Sequence, residues 1–129
     1  MISQTIRIAT DERGVAHLTL ARPEKHNALS AEMIDDLTAA TEDLAHDRSV
    51  RIVVLTGEGA SFCAGGDLGW MRAQFDATRA GRMAEARRLA MLFKALNELP
   101  KPLIARVQGN AFGGGIGILS VCDMVISAS

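Results

Sequence analysis

Apolar and polar positions alternate along two early runs, TIRIAT and VAHLTLA, with DERG between them. A period of two places successive side chains on opposite faces of a strand, and DERG is turn chemistry. The pattern predicts a β-hairpin. After RPEKHNAL the period changes. In SAEMIDDLTAATEDLAHD, the residues Met33, Ile34, Leu37, Ala40, Thr41 and Leu44 recur at helical spacing, which predicts a helix with one core-facing stripe. Ser30 is placed to cap it, with Glu32 in its first turn. RIVVLTG is a short, nearly continuous apolar run with β-branched residues, as expected of a strand covered on both faces. GEGASFCAGGDL reads as a glycine-rich loop.

A second helix is expected over residues 79–99. Met83, Leu89, Leu92, Phe93, Leu96 and Leu99 form its apolar stripe, and Arg82, Glu85, Arg88 and Lys94 look outward. The prolines of ELPKP stop it. PLIARVQG predicts a second covered strand, GIGILSV a buried apolar helix behind the glycines of NAFGGG, and CDMVISAS a third strand. Strand, helix, strand, helix, strand argues for an α/β fold with parallel pairing and right-handed crossovers. No linker, repeat or low-complexity segment interrupts the chain, so residues 1–129 read as one domain. A sheet of this kind is expected to keep one face or edge poorly covered, with the remainder supplied by further chain or by neighbouring subunits.

Composition works mainly by exclusion. The 129 residues are 48% hydrophobic and 22% charged, ordinary values for a globular domain with a real core. A net charge of -1 offers no broad basic field for nucleic acid or an anionic membrane. No apolar run reaches the length of a membrane span, and the N-terminus lacks a signal-peptide pattern, so the cytoplasm is the expected compartment. Cys63 and Cys122 make no disulfide framework or CxxC pair, and His17, His26 and His46 are scattered, so no metal site is expected.

The two glycine loops, SFCAGGDL and NAFGGGIG, carry the candidate chemistry. Each follows a strand and precedes a helical segment, and in an open parallel sheet ligands bind at the carboxyl ends of the strands. Glycine allows close approach of the backbone, and the first N–H groups of a helix have no intrahelical partner. Such a place suits a phosphate or a polarised carbonyl oxygen. Gly115 is followed by Ile116, so the loop is no Walker A sequence, and Ile118 stands where a dinucleotide fingerprint needs its third glycine. Glycine spacing alone favours the plainer reading, tight packing of helix against sheet.

Taken together, RPEKHNALS, RIVVLTGEGASFCAGGDL, LPKPLIARVQGNAFGGG and CDMVISA resemble the crotonase superfamily, the enoyl-CoA hydratase and isomerase family, in the family's order and spacing. The resemblance covers the whole chain and corresponds to the N-terminal half of a typical member. It implies a crotonase-type spiral of ββα units (ClpP/crotonase type), incomplete at the C-terminus, and an acyl-CoA thioester as substrate. It implies no metal or redox cofactor, coenzyme A entering as part of the substrate. Assembly as a trimer or a dimer of trimers is implied for the full-length protein. By the same resemblance, the backbone N–H groups of Gly66 and Gly114 hold the thioester oxygen. Ala64 and Asp67 lie in the adenine and pantetheine loop, Lys25 and His26 follow the CoA chain, and Leu68, Trp70 and Met71 line the acyl pocket. Each has a plainer reading: Lys25 as a solvated lysine, His26 as a loop residue, the three apolar side chains as core. Cys63 is a small filler, Cys122 is packed, and Asp67 and Asp123 match loop capping and strand-end bonding.

One departure stands out. A typical hydratase of this family carries a glutamate three residues after the middle glycine, and here that position is Gly117. Its second glutamate belongs to a segment after Ser129. The wording SFCAGGDLGWM and ARVQGNAFGGG resembles the branch acting on methylglutaconyl-type enoyl-CoAs. Hydration of a 2-enoyl-CoA is the leading expectation. An isomerase, which needs one base, and a fragment that binds a thioester without turning it over are the alternatives.

Overall fold

The computed structural model describes residues 3–128 of the chain. Strands β1 (Ile6–Thr10) and β2 (Val15–Leu20) form the expected antiparallel hairpin, with Ile8 opposite Leu18. Helix α1 (Ala31–His46) follows a short 3-10 turn at Pro23–Lys25. Ser30 caps α1 by accepting from the Met33 N–H, and all six residues of its apolar stripe are buried. Strand β3 (Ile52–Gly57) then lies parallel to β2, and β5 (Leu103–Val107) parallel to β3. Strand β7 (Met124–Ser127) pairs parallel with β5, so the sheet order is β1-β2-β3-β5-β7.

Register carries the core across this sheet. Ala16 and Leu18 of β2 face Val53 and Leu55 of β3, which face Leu103 and Ala105 of β5, and all six are buried. Helix α3 (Arg79–Asn97) packs against α1 and adds Leu92 and Leu96 to the same core. Lys101, in the turn between α3 and β5, donates to the carbonyls of Leu44 and Asp47 and so holds the C-terminal end of α1. Cations belong at that end of a helix.

Several expectations need correction. The glycine-rich segment after β3 is not all loop: Ser61–Cys63 is a strand, β4, and it pairs parallel with a second short strand, β6 (Asn110–Ala111). Three-residue and two-residue strands leave no periodicity to read. The helix behind the glycines, α4 (Gly114–Ser120), buries only Gly115 and Ile118, and Ile116 is 57% exposed. Met83 is also exposed: nine residues from Leu92, at about 100° per residue, it lies on the opposite face of α3, whose covered side carries Glu85, Arg88, Leu89, Leu92 and Leu96. Covering of β3 and β5 is one-sided rather than complete, with Ile52, Val54 and Ile104 half-buried and Arg106 exposed. Every residue of β7 is exposed.

Candidate functional site

The pairing of β4 with β6 brings the two glycine loops together. Ser61 lies opposite Asn110 and Cys63 opposite Ala111, and the Phe112 N–H donates to the Cys63 carbonyl at 3.0 Å. Beyond that bond the backbones nearly touch. A Cβ on Gly115 would sit 2.5 Å from the Cys63 oxygen, and one on Gly65 would sit 2.9 Å from the Phe112 oxygen. Gly65 also has φ +93°, a conformation that L side chains avoid. At this crossing glycine is required by contact and not only by flexibility.

The first loop is also fastened to the turn before α1. Leu29 donates to the Gly65 carbonyl at 2.7 Å, Asp67 to the Leu29 carbonyl at 2.9 Å, and Ala64 to the His26 carbonyl at 3.0 Å. Between turn and loop lies a pocket of about 620 Å³. Lys25, His26, Ala64, Gly66, Asp67 and Leu68 all line it, with Glu24, Ala28 and Gly69 completing the wall. Six of the nine site residues named from sequence therefore meet in one cavity, with Trp70 and Met71 outside its lining. Gly114 adjoins it through Gly65: a Cβ on Gly65 would lie 3.5 Å from the Gly114 nitrogen. Among the described residues, neither the Gly66 nor the Gly114 N–H has an acceptor. Two free amides on touching loops can serve an external acceptor such as a carbonyl oxygen.

Lys25 and His26 are exposed on the rim, and the His26 Nδ1 lies 3.0 Å from the Ser61 Oγ. Asp67 caps the short helix α2 (Leu68–Ala73) by accepting from the Trp70 N–H at 3.0 Å. Its other oxygen accepts from Arg22 at 3.3 Å. The Trp70 N–H, with the Arg22 guanidinium behind it, holds the Asp67 carboxyl below the usual carboxylate range. On α2, Leu68 and Met71 are exposed, and the Met71 Sδ would lie 3.1 Å from a Cβ on Gly66. Trp70 instead packs against the core.

The remaining candidates are structural. Asp123 accepts from the Leu103 N–H at 2.8 Å, fixing the start of β5. Cys63 is fully buried, and burial pushes its thiol pKa up. Burial and the neighbouring Asp123 push the Cys122 thiol to about 11. At Gly117 the space a side chain would enter is filled: a Cβ there would meet the Phe93 ring of α3 at 2.9 Å. Sequence reasoning missed Arg22 and Asn27, which tie the pocket walls together. A polar pair flanking PEKH is an ordinary loop composition, and only the tolerance of Asn for left-handed backbone hinted at a turn.

Among the described residues no cluster of three metal-ligating side chains is found, and no helix is long and apolar enough to cross a membrane. Residues 10–129 match the profile of the enoyl-CoA hydratase/isomerase family. An enoyl-CoA hydratase of Alternaria alternata is 40% identical over 120 residues, which are 92% of this chain and 38% of that protein. The crystal structure of an enoyl-CoA hydratase from Mycobacterium smegmatis is 41% identical and superposes with a TM-score of 0.90, over 95% of this chain and 47% of that one. An enoyl-CoA hydratase from Shewanella pealeana superposes at 0.92 with 36% identity, over 95% and 46%. The chain thus spans less than half the length of these relatives. With the fold, the loops and these likenesses in agreement, the chain belongs to the enoyl-CoA hydratase/isomerase family and has the N-terminal part of a crotonase fold.

Proposed function

We propose that the parent protein is a hydratase-type lyase that adds water across the double bond of a 2-enoyl-CoA. In this reading the thioester oxygen accepts from the Gly66 and Gly114 N–H groups. Hydroxide adds at Cβ, the π electrons move onto the thioester oxygen as an enolate, and protonation at Cα returns them. Donors already aimed at the developing charge lower the barrier by about 3–4 kcal/mol each. The observation that carries this reading is the pair of amides without acceptors on two touching glycine loops beside the pocket. The exposed Lys25 at the rim suits an anionic CoA group, and Leu68 and Met71 suit an acyl chain. The substrate class we favour is a branched, methylglutaconyl-type enoyl-CoA. The parent works in the cytoplasm as a trimer or dimer of trimers.

A second reading is favoured by one residue. With Gly117 filled by Phe93, no acid stands at that point of α4, and moving a double bond requires one base where hydration uses two acids. Assaying the parent with a 2-enoyl-CoA and with a 3-enoyl-CoA separates the two. Production of the 3-hydroxyacyl thioester supports hydration, and conversion of the 3-enoyl substrate alone supports isomerisation. Absence of acetoacetyl-CoA binding would sink both.

A further inference from the structure

Asn27 is fully buried and adopts φ +56°, directly after His26 at φ +52°. Two successive non-glycine residues in the left-handed region cost free energy and persist only where surrounding contacts hold them. The side chain of Asn27 supplies those contacts. Its Oδ1 accepts from the Arg22 N–H at 2.8 Å, closing the turn on itself. Its Nδ2 faces three carbonyls of the segment from the end of β3 through β4: Glu58 at 2.9 Å, Ser61 at 3.1 Å and Phe62 at 3.1 Å. The neighbouring Gly57 leaves room for it, since a Cβ there would lie 2.9 Å from Nδ2. A buried amide with both ends engaged is a cross-brace; losing it takes a donor from Glu58 and Phe62, while the Ser61 carbonyl keeps the Gln108 Nε2 at 2.9 Å.

We propose that Asn27 is a positioning residue for the thioester site. It pins residues 22–29 to residues 58–62, so that Lys25 and His26 form one wall of the pocket. Through the Leu29 N–H on Gly65 and the Asp67 N–H on Leu29, it also sets the segment that carries the Gly66 amide. Only the ligand-binding part of this inference rests on the function proposed above. The brace itself is a statement about backbone geometry.

The test uses the full-length parent protein. Asn27→Gly keeps the positive φ without strain and removes the amide. Asn27→Asp keeps the acceptor for Arg22 and places oxygen against the three carbonyls. In either folded variant, amide hydrogen exchange at Leu29, Ala64 and Asp67 is expected to accelerate at least tenfold relative to amides inside α1. The Kd for acetoacetyl-CoA is expected to rise at least tenfold. Uniform acceleration across α1 and β3, or unchanged exchange at those three amides, would overturn the proposal, since a merely structural role loosens the whole fold. If the unsubstituted parent does not bind acetoacetyl-CoA, the thioester reading fails and the exchange pattern still decides on the brace. Should neither variant fold, the side-chain NH2 of Asn27 in the unsubstituted protein decides. Exchange far slower than that of the exposed Asn97 supports the brace, and equal exchange refutes it.

Discussion

The two glycine loops do similar work with different fastenings. Residues 64–67 are held by three backbone bonds to the turn before α1, by the Asp67 cap on α2 and by the ion pair of Asp67 with Arg22. Among the described residues, residues 112–115 have no charged fastening. They are held by the Phe112 N–H on Cys63 and by the absence of side chains, with Leu29, Cys63 and Gly65 filling the places where Cβ atoms would be. One loop is tied and the other is fitted. A tied loop should fail by losing bonds, and a fitted loop by gaining atoms.

The largest expected effect lies in the fitted loop. Gly114 is the first residue of α4, where proline is tolerated, so Gly114→Pro deletes the N–H with little cost to the helix. In the parent enzyme kcat should fall on the order of a hundredfold to a thousandfold. Gly114→Ala brings the same Cβ toward the Leu29 Cδ1, 2.8 Å away, and keeps the N–H. Equal rates for the two variants would show that fit, and not the amide, is what position 114 supplies.

Crossing the loops is next. Gly65→Ala combines an unfavourable φ with a contact of 2.9 Å on the Phe112 oxygen, and should cost about 1–3 kcal/mol in urea unfolding. Gly117→Glu pushes against the Phe93 ring and should cost a similar 1–3 kcal/mol. Adding Phe93→Ala should make the pair less destabilising than the sum of the two single changes. Strict additivity would mean that the ring and the glycine are independent.

The smallest effect sharpens the tied loop. Asp67→Ala removes a helix cap and should cost about 1 kcal/mol at neutral pH. The folded-state pKa of Asp67 is lowered, so its stabilisation is fully present above the unfolded value of about 3.9 and is lost as pH falls through the lower native value. The Tm difference between the unsubstituted and variant proteins should therefore be flat above about pH 5 and shrink below pH 3.9. A difference that grows on acidification would contradict the cap.

Much of this was legible in the chain because long elements repeat their pattern. The sixteen residues of α1 offered four turns of periodicity and a serine cap, and every stripe residue is buried. The parallel sheet followed from element order. Facing on α3 was harder to read. Met83 stands nine residues from Leu92, which at about 100° per residue is the opposite face of the helix, so counting it in the apolar stripe misplaces it. The candidate site residues came from the resemblance of the two loops and their flanking segments to the family, since glycine spacing by itself points as readily to packing. Asn27 was not legible, because its four partners come from residues 22, 58, 61 and 62, and only the folded chain assembles them.

The small β4–β6 sheet carries a consequence for how the molecule is made. It joins segments about fifty residues apart, and α3 and β5 lie in the interval. Closing so long a loop costs entropy that only β3–β5 docking can recover, and pairings of high sequence separation form slowly. The hairpin and α1 are built from neighbouring residues and can start to form while the rest is still being synthesised, gaining their full burial only when β3 and α3 dock. Both walls of the cavity come from residues 24–69, so what arrives late is the Gly114 amide beside them, and a nascent chain released before Phe112 has emerged would carry the pocket's lining without its second donor.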